Sequence, residues 1–243
     1  MRYIVTIAGA LLISGVPTKA QAPDDPKIWT LTTSVGLALT QGNRDTSTLN
    51  ASYDLIYDPP GRNIVKSDAL LIRGKTEGEL TGSRLGVNIR DEFKLRDGMF
   101  VFGQNQYLRD EFKNIDYLLA PSFGVGMRFF DTEQTKLAFD GGAGGVWEKN
   151  PGDEVRASGA VTAAEKLSQT LTATTTLTQS VTALWKTQNW NDSLYTFSLG
   201  VAASISARTQ LKVEVLDVYK NRPPLETIKR NDVAVLMALV YKM

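Results

Sequence analysis

The chain has 243 residues and a net charge of +1, from 27 Lys and Arg against 26 Asp and Glu. It contains neither histidine nor cysteine, which excludes disulfides, thiolate metal sites, histidine-ligated zinc and Ser-His nucleophilic pairs. The balanced charge gives no global attraction to nucleic acid. We therefore expect a non-enzymatic protein with no cofactor, no metal site and no nucleic-acid partner.

The first residues have the pattern of a secretory signal peptide. Arg2 gives a positive start, and the apolar run from Ile4 to Val16 is too short to span a bilayer as a helix. The alternative is a short N-terminal anchor helix. We predict a Sec-type signal peptide over residues 1–20.

Two small residues offer cleavage sites, Ala20 and Ala22. Cleavage after Ala22 would leave Pro23 beside the scissile bond, where its ring restricts the backbone. We therefore prefer Ala20 and keep Ala22 as the alternative. No linker or change of composition follows, so residues 21–243 are predicted to form one domain.

The rest of the chain alternates apolar and polar residues with a period of two. From Trp29 to Leu39 the odd positions are mostly apolar and the even positions small or polar, as in a strand with two different faces. Residues 232–241 repeat the pattern. Ten further segments of this kind lie between them: 46–57, 63–73, 84–95, 99–108, 116–130, 136–147, 155–166, 171–184, 193–204 and 210–219. Most exceed the soluble-protein strand of about five or six residues and suit tilted membrane strands.

The connectors between these segments differ in length. Compact turns rich in Asp, Gly, Pro and Ser alternate with longer connectors; the turns are 58–62, 96–98, 131–135, 167–170 and 205–209, and the longer ones include 74–83, 148–154, 185–192 and 220–231. Short turns on one side and long loops on the other are typical of outer-membrane barrels and would place both termini in the periplasm. We predict an all-β fold, a single antiparallel transmembrane β-barrel of twelve strands. A soluble two-sheet sandwich is the alternative, because it too would produce the alternation.

Aromatic residues recur at odd positions near the strand ends, where a barrel would cross the two membrane interfaces. The predicted girdles comprise Trp29, Tyr57, Phe93, Phe129 and Tyr241 on the periplasmic side, and Tyr107, Tyr117, Trp147, Trp185, Tyr195 and Tyr219 on the outer side. Most apolar strand positions are also odd, so one register assigns the outward face. Asp91, Asp217 and Glu165 depart from it.

Charged residues recur at even positions, which would face the lumen. The candidates for setting selectivity are Lys66, Asp68, Arg84, Arg90, Glu92, Arg128, Lys136, Asp140, Lys212 and Glu214. They could line an open polar channel. They could equally form a salt-bridged plug that fills a narrow interior, because twelve strands lie between small filled barrels and wide porins.

Three further features have ordinary explanations. The run from Asp140 to Gly145 lacks the lysine and helix of a phosphate loop, so glycines that allow the barrel to bend explain it better. The adjacent carboxylates Asp110 and Glu111 would face opposite sides of a strand and are poor acid/base partners. Trp190 is a weak ligand candidate beside an outer loop.

Two stretches carry a family resemblance: Gly36 to Pro59, and Tyr107 to Gly145. Within them, Gly42-Asn43 and Arg109-Asp110-Glu111-Phe112 are the most recognisable motifs. They resemble the family of salt-induced outer-membrane proteins, a domain family of unknown function, over nearly the whole mature chain. The resemblance implies an outer-membrane barrel of Gram-negative bacteria with expression linked to salt, and it carries over no catalytic residue.

These observations lead to a small channel for hydrophilic solutes or ions, used under salt or osmotic stress in the bacterial outer membrane. The alternative is a closed structural or surface-binding barrel acting through its outer loops, chiefly 74–83, 185–192 and 220–231. An envelope enzyme is the third hypothesis. The expected partners are outer-membrane lipid, lipopolysaccharide, the barrel-assembly machinery and periplasmic chaperones.

Overall fold

The structure, a computed structural model, describes residues 28–40, 46–96 and 98–243. The predicted signal peptide, its two cleavage sites and the Gly42-Asn43 motif lie outside the described residues.

Long strands fill most of the described chain, as the period-two pattern predicts. The twelve described strands are β1 (Trp29–Thr40), β2 (Thr46–Tyr57), β3 (Asn63–Thr76), β4 (Glu79–Lys94), β5 (Met99–Asp110), β6 (Ile115–Asp131), β7 (Thr135–Lys149), β8 (Arg156–Thr172), β9 (Thr175–Lys186), β10 (Asn189–Ser204), β11 (Thr209–Lys220) and β12 (Asn231–Lys242). Each pairs antiparallel with its neighbours in the chain, and β1 also pairs with β12, with Val35 opposite Leu239. The prediction of a closed twelve-stranded antiparallel barrel is confirmed.

The two ends of the barrel are named here by their connectors. The turn end is where β1 begins and β12 ends; the loop end is the opposite one. The prediction of long loops at 74–83 and 185–192, at the loop end, is wrong. β3 and β9 continue to two-residue turns at 77–78 and 187–188. The predicted turn 167–170 is also wrong, since β8 continues to Thr172. The loop at 221–230 agrees with the prediction.

The two faces of the barrel wall differ in chemistry. Odd-numbered apolar side chains point outward and are not covered by other parts of the described chain. Phe123, for example, is 72% exposed and Val125 is 59% exposed. Even-numbered side chains point into the lumen, where Phe100 retains 2% and Ala120 0%. A soluble protein rarely exposes so large an apolar band, whereas lipid would cover it. The outward face is therefore the membrane-facing surface.

The aromatic girdle positions lie on this outward face. Near the turn end, the rings of Trp29 and Tyr57 are 4.2 Å apart. Near the loop end, Trp185 Nε1 donates to the hydroxyl of Tyr195 at 2.9 Å, and the ring of Tyr219 lies 6.0 Å from that of Tyr195. Each end of the barrel thus carries contacting aromatic rings, as interfacial girdles do.

Within the described ranges, the chain has no helix that is both long and apolar enough to cross a membrane.

Candidate functional site: the lumen

The inward residues of β5 give the order of the lumen from the turn end to the loop end. Aromatic side chains come first, amides follow, then a leucine, and finally a carboxylate: Phe100, Phe102, Gln104, Gln106, Leu108 and Asp110. The other strands contribute to the same four levels. We call these levels the turn-end plug, the central cavity, the apolar layer and the loop-end closure.

The turn-end plug is organised around Glu92 of β4. One carboxylate oxygen accepts from Lys66 Nζ at 2.8 Å and from Arg90 Nε at 2.9 Å. The other accepts from Arg128 at 2.5 Å. The Glu92 side chain is only 4% exposed. One carboxylate therefore holds three cations from three strands.

Arg90 extends the turn-end plug across the lumen. Its guanidinium donates to Asp140 of β7 at 2.9 Å and to Gln104 at 2.8 Å. Because β5 and β6 separate β4 from β7, the bond to Asp140 crosses open barrel space. The guanidinium carbon also lies 3.7 Å from the ring centre of Phe102, a close cation–π contact.

Glycines make room for the two plug aromatics. A side chain at Gly126 of β6 would collide with the ring of Phe100. A Cβ at Gly142 of β7 would lie 3.1 Å from the ring of Phe102. The glycines of the Asp140–Gly145 run thus lie within a strand, and Gly142 faces an aromatic ring that the wall must accommodate.

The central cavity has a volume of about 240 Å³. Its polar lining comes from strands all around the barrel and includes Asp68, Asn88, Arg90, Gln104, Gln106, Asp140, Thr162 and Lys166. The cavity is bounded on the turn side by the Arg90 contacts and on the loop side by leucines. Enough polar surface and volume remain for several waters or one small solute.

The apolar layer closes the lumen above the cavity. Two buried clusters form it; one contains Leu108, Leu118, Val146 and Leu184, and the other contains Ile72, Leu216, Val218 and Leu236. Leu194 of β10 packs against both. Contacts between β3 and the β11–β12 pair must cross the lumen, because β1 and β2 separate them along the wall. An apolar constriction of this kind can stop ions and water without filling the whole pore.

At the loop-end closure, a fully buried lysine spans the barrel mouth. Lys113 ends a 3₁₀ turn between β5 and β6, and its backbone N–H donates to Asp110 at 3.2 Å. Its ammonium group donates to the carbonyl oxygens of Lys229 at 3.0 Å and Arg230 at 2.8 Å, and it forms a 2.8 Å ion pair with Asp232. The short β5–β6 connector is thereby fastened to the β11–β12 loop on the opposite wall.

A second network of the loop-end closure is centred on Glu148 of β7. Its carboxylate contacts Lys220 of β11 at 2.6 Å and Lys186 of β9 at 2.8 Å. Lys186 also pairs with Asp192 at 2.6 Å. Arg84 pairs with Asp110 at 3.6 Å beside the 3₁₀ turn. The two Glu148 pairs join non-adjacent strands, β7 to β9 and β7 to β11, and hold this side of the mouth closed.

The ten predicted lumen residues have different surroundings. Lys66, Arg90, Glu92, Arg128 and Asp140 meet in the turn-end plug, whereas Asp68 lines the cavity and Arg84 extends from it to the closure. Lys212 and Glu214 form a separate pair at 2.6 Å, with Ser198 donating to Glu214. Lys136 is exposed near the turn end of β7.

Several lumen residues were missed by the sequence analysis. Phe100 and Phe102 have even numbers, as the inward-facing residues do. Because they are not polar, a search for luminal charges does not find them. Glu148, Lys186 and Lys220 lie on strand ends that the predicted segments leave out. The even numbers of these three residues are the signal that could have found them.

The described residues contain no group of three or more potential metal ligands. Asp110 and Glu111 have separate partners, Arg84 and Arg109. Trp190, 58% exposed, belongs to β10 beside the loop end rather than to a loop.

Two solved structures share the architecture. The NanC porin superposes with a TM-score of 0.51 at 10% sequence identity, covering 87% of this chain and 98% of that one. The COG4313 outer membrane channel from Pseudomonas putida F1 gives a TM-score of 0.52 at 11% identity, covering 88% of this chain and 95% of that one. At such low identity the likeness establishes the fold, that of outer-membrane β-barrels. No curated protein matches the sequence.

A family model spans nearly the whole barrel. It is described as "Protein of unknown function, DUF481" and matches residues 33–243. The match covers both stretches on which the resemblance rests and leaves out only the start of β1, before residue 33. The chain belongs to this family of unknown function.

Proposed function

We propose that this chain is a non-enzymatic outer-membrane channel for small hydrophilic solutes or ions, and that the conformation described here is its closed state. The observation that carries the proposal is the polar central cavity, which lies in the lumen between two side-chain closures. A barrel that served only as a scaffold would gain stability by filling this space. A channel needs a wetted path with a constriction that can open.

The membrane location belongs to the same proposal. The bare apolar band and the aromatic girdles are suited to lipid on all sides, with lipopolysaccharide beside the loop end. We place both termini in the periplasm, following the usual orientation of such barrels. Export through a signal peptide, periplasmic chaperones and the barrel-assembly machinery would bring the chain there. A role under salt or osmotic stress is proposed from the resemblance of residues 36–59 and 107–145 alone.

Single-channel recording tests the proposal. We expect the refolded protein in a planar bilayer to give discrete openings whose selectivity moves toward cations when Arg84, Arg90 or Arg128 is individually changed to serine. Each substitution removes one positive charge from the lumen. Arg73→Ser is the control, because Arg73 has outward parity on β3 and should leave the selectivity unchanged. Openings with unaltered selectivity in all three luminal variants would refute a charge-lined path.

A second function is favoured by one observation, the fastening of the mouth by fully buried Lys113. A permanently closed barrel could act by presenting its outer loops to a ligand or partner. Only the 221–230 loop of the three loops predicted for this role is a long connector. A folded protein that never opens, but whose binding of a partner is lost when 221–230 is shortened, would support this alternative.

A further inference from the structure

Two charged side chains that line the central cavity have no ionic partner among the described residues. Lys166 of β8 makes no ion pair or hydrogen bond within the described chain, although the other two cavity cations, Arg84 and Arg90, are both paired with acids. Asp68 of β3 accepts a hydrogen bond from the amide of Asn88 at 3.1 Å and makes no ion pair in the part of the chain that the structure describes. Among the described residues, the cavity thus presents one cation and one anion that take part in no close ion pair.

These two charges lie on nearly opposite walls. Five strand steps separate β3 from β8 in the ring of twelve, so the two side chains approach the cavity from across the barrel. Asp54 of β2 pairs in register with Asp68 and makes no close ion pair among the described residues, although Lys212 and Lys166 lie within electrostatic range of it; the two carboxylates make that wall the acidic one. A transverse field therefore runs across the cavity, from Lys166 on one side to Asp68 and Asp54 on the other.

The cavity also contains buried polar atoms that lack a partner. Thr162 is 7% exposed, and neither its hydroxyl oxygen nor the amide oxygen of Asn88 has a hydrogen-bond partner in the described chain. Both residues line the cavity. Buried polar atoms are normally hydrogen-bonded, so these two atoms are available to a water or a solute in the cavity.

The loop-side roof of the cavity is aliphatic. It consists of Leu70, Leu108, Leu118, Leu184, Leu194 and Leu216. A volume of about 240 Å³ is below the range of about 300–1,000 Å³ for drug-sized ligands, so a single small solute fits. Such a solute should therefore combine charged groups at one end with an aliphatic group at the other.

We infer that the central cavity is a binding site for one small zwitterionic solute with an aliphatic side chain, of the amino-acid kind. Its carboxylate meets Lys166, its ammonium group meets Asp68, and its side chain lies against the leucine roof. A simple anion would face the carboxylate of Asp68 as well as Lys166, and a simple cation would face Lys166 as well as Asp68. The inference rests on the proposed function in that the cavity lies on the proposed conduction path.

Calorimetric titration of the refolded protein in detergent micelles tests the inference with three probes of one carbon skeleton. Leucine carries both charges, 4-methylpentanoate only the carboxylate, and 3-methylbutylamine only the ammonium group. We expect leucine to bind at least tenfold more tightly than either analogue. Equal affinity for all three, or no binding of any, would overturn the inference.

Charge-removing variants assign the two ends of the solute. Lys166→Gln should weaken leucine binding at least tenfold but leave 3-methylbutylamine unaffected, since that probe has no carboxylate. Asp68→Asn should weaken leucine binding equally but leave 4-methylpentanoate unaffected. Lys136→Gln is the matched control, because Lys136 has inward parity but does not line the cavity. Losses that are the same for every probe would contradict the assignment.

Recording conductance from the same preparation without leucine separates this inference from the proposed channel. If the channel opens but the protein shows no preference for the zwitterion, the channel proposal stands and the binding site is refuted. Zwitterion binding in a barrel that never opens supports the binding site and refutes the channel. Heat-dependent gel mobility, which differs between folded and unfolded barrels, confirms that each variant is folded.

Discussion

Replacing Glu92 by glutamine is expected to lower the free energy of unfolding by roughly 3–5 kcal/mol. Glutamine keeps the shape of the side chain but removes the one charge that Lys66, Arg90 and Arg128 share. Removing one member of a buried ion network leaves its partners without compensation in a low-dielectric space; here Lys66 and Arg128 would lose their acid, and Arg90 would keep only Asp140. Urea unfolding of the barrel in lipid vesicles, followed by tryptophan fluorescence, measures the change.

Glu214→Gln is the control for the Glu92 variant. Glu214 is also a luminal carboxylate with a lysine partner, Lys212, but its own side chain is 18% exposed, against 4% for Glu92. Water screens such a pair, so a loss of about 1 kcal/mol or less is expected. If the Glu92 variant lost no more than this control, the turn-end plug would not be a buried network.

The second large effect is expected from Lys113→Met. Methionine fills much of the same volume but leaves the carbonyls of Lys229 and Arg230 and the Asp232 carboxylate without their donor. A buried pair broken in this way costs about 3–5 kcal/mol, and 1.4 kcal/mol corresponds to a tenfold change in an equilibrium constant. The detached population of the 221–230 loop should rise at least tenfold. The rate of chymotrypsin cleavage after exposed Leu225 measures it.

Lys229→Met in the same loop is the matched control, because the Lys229 side chain is exposed and only its backbone carbonyl takes part in the fastening. Cleavage after Leu225 should proceed at the wild-type rate in this variant. Equal acceleration in both variants would mean that loop composition, rather than the buried ammonium group, controls the mouth.

The strands could be predicted because the two faces of the wall differ so strongly. Outward side chains such as Val125 contact lipid, and inward ones such as Gln104 line the lumen. The alternation of apolar and polar residues therefore persists along each strand. Strand ends were harder to predict. The two-residue turn at Glu77-Gly78 has positive φ at both residues, 53° and 80°, as in a type I′ hairpin. Because such a turn needs only two residues, both strands continue through polar residues that the sequence analysis assigned to a loop.

The lumen could be predicted only in part, because parity identifies an inward side chain but not its partner. Arg90 and Asp140 are 50 residues apart, and their contact depends on closure of the whole ring. The same holds for Lys113, which reaches a loop more than a hundred residues away. The inward Phe100 went unrecognised because the lumen was expected to be polar throughout. Its space depends on a glycine of the adjacent strand, Gly126.

The central claim, a polar path closed by an apolar layer, is tested most directly by single-channel recording of the wild-type protein beside Leu194→Ser. Leu194 packs against both clusters of the layer, so serine removes apolar contacts made in the closed state and admits water. Loss of about 2–3 kcal/mol from the closed state alone would raise the ratio of open to closed channels roughly 30- to 140-fold. We expect brief openings from the wild type and sustained openings from the variant. Two folded barrels that both remain silent would contradict the claim.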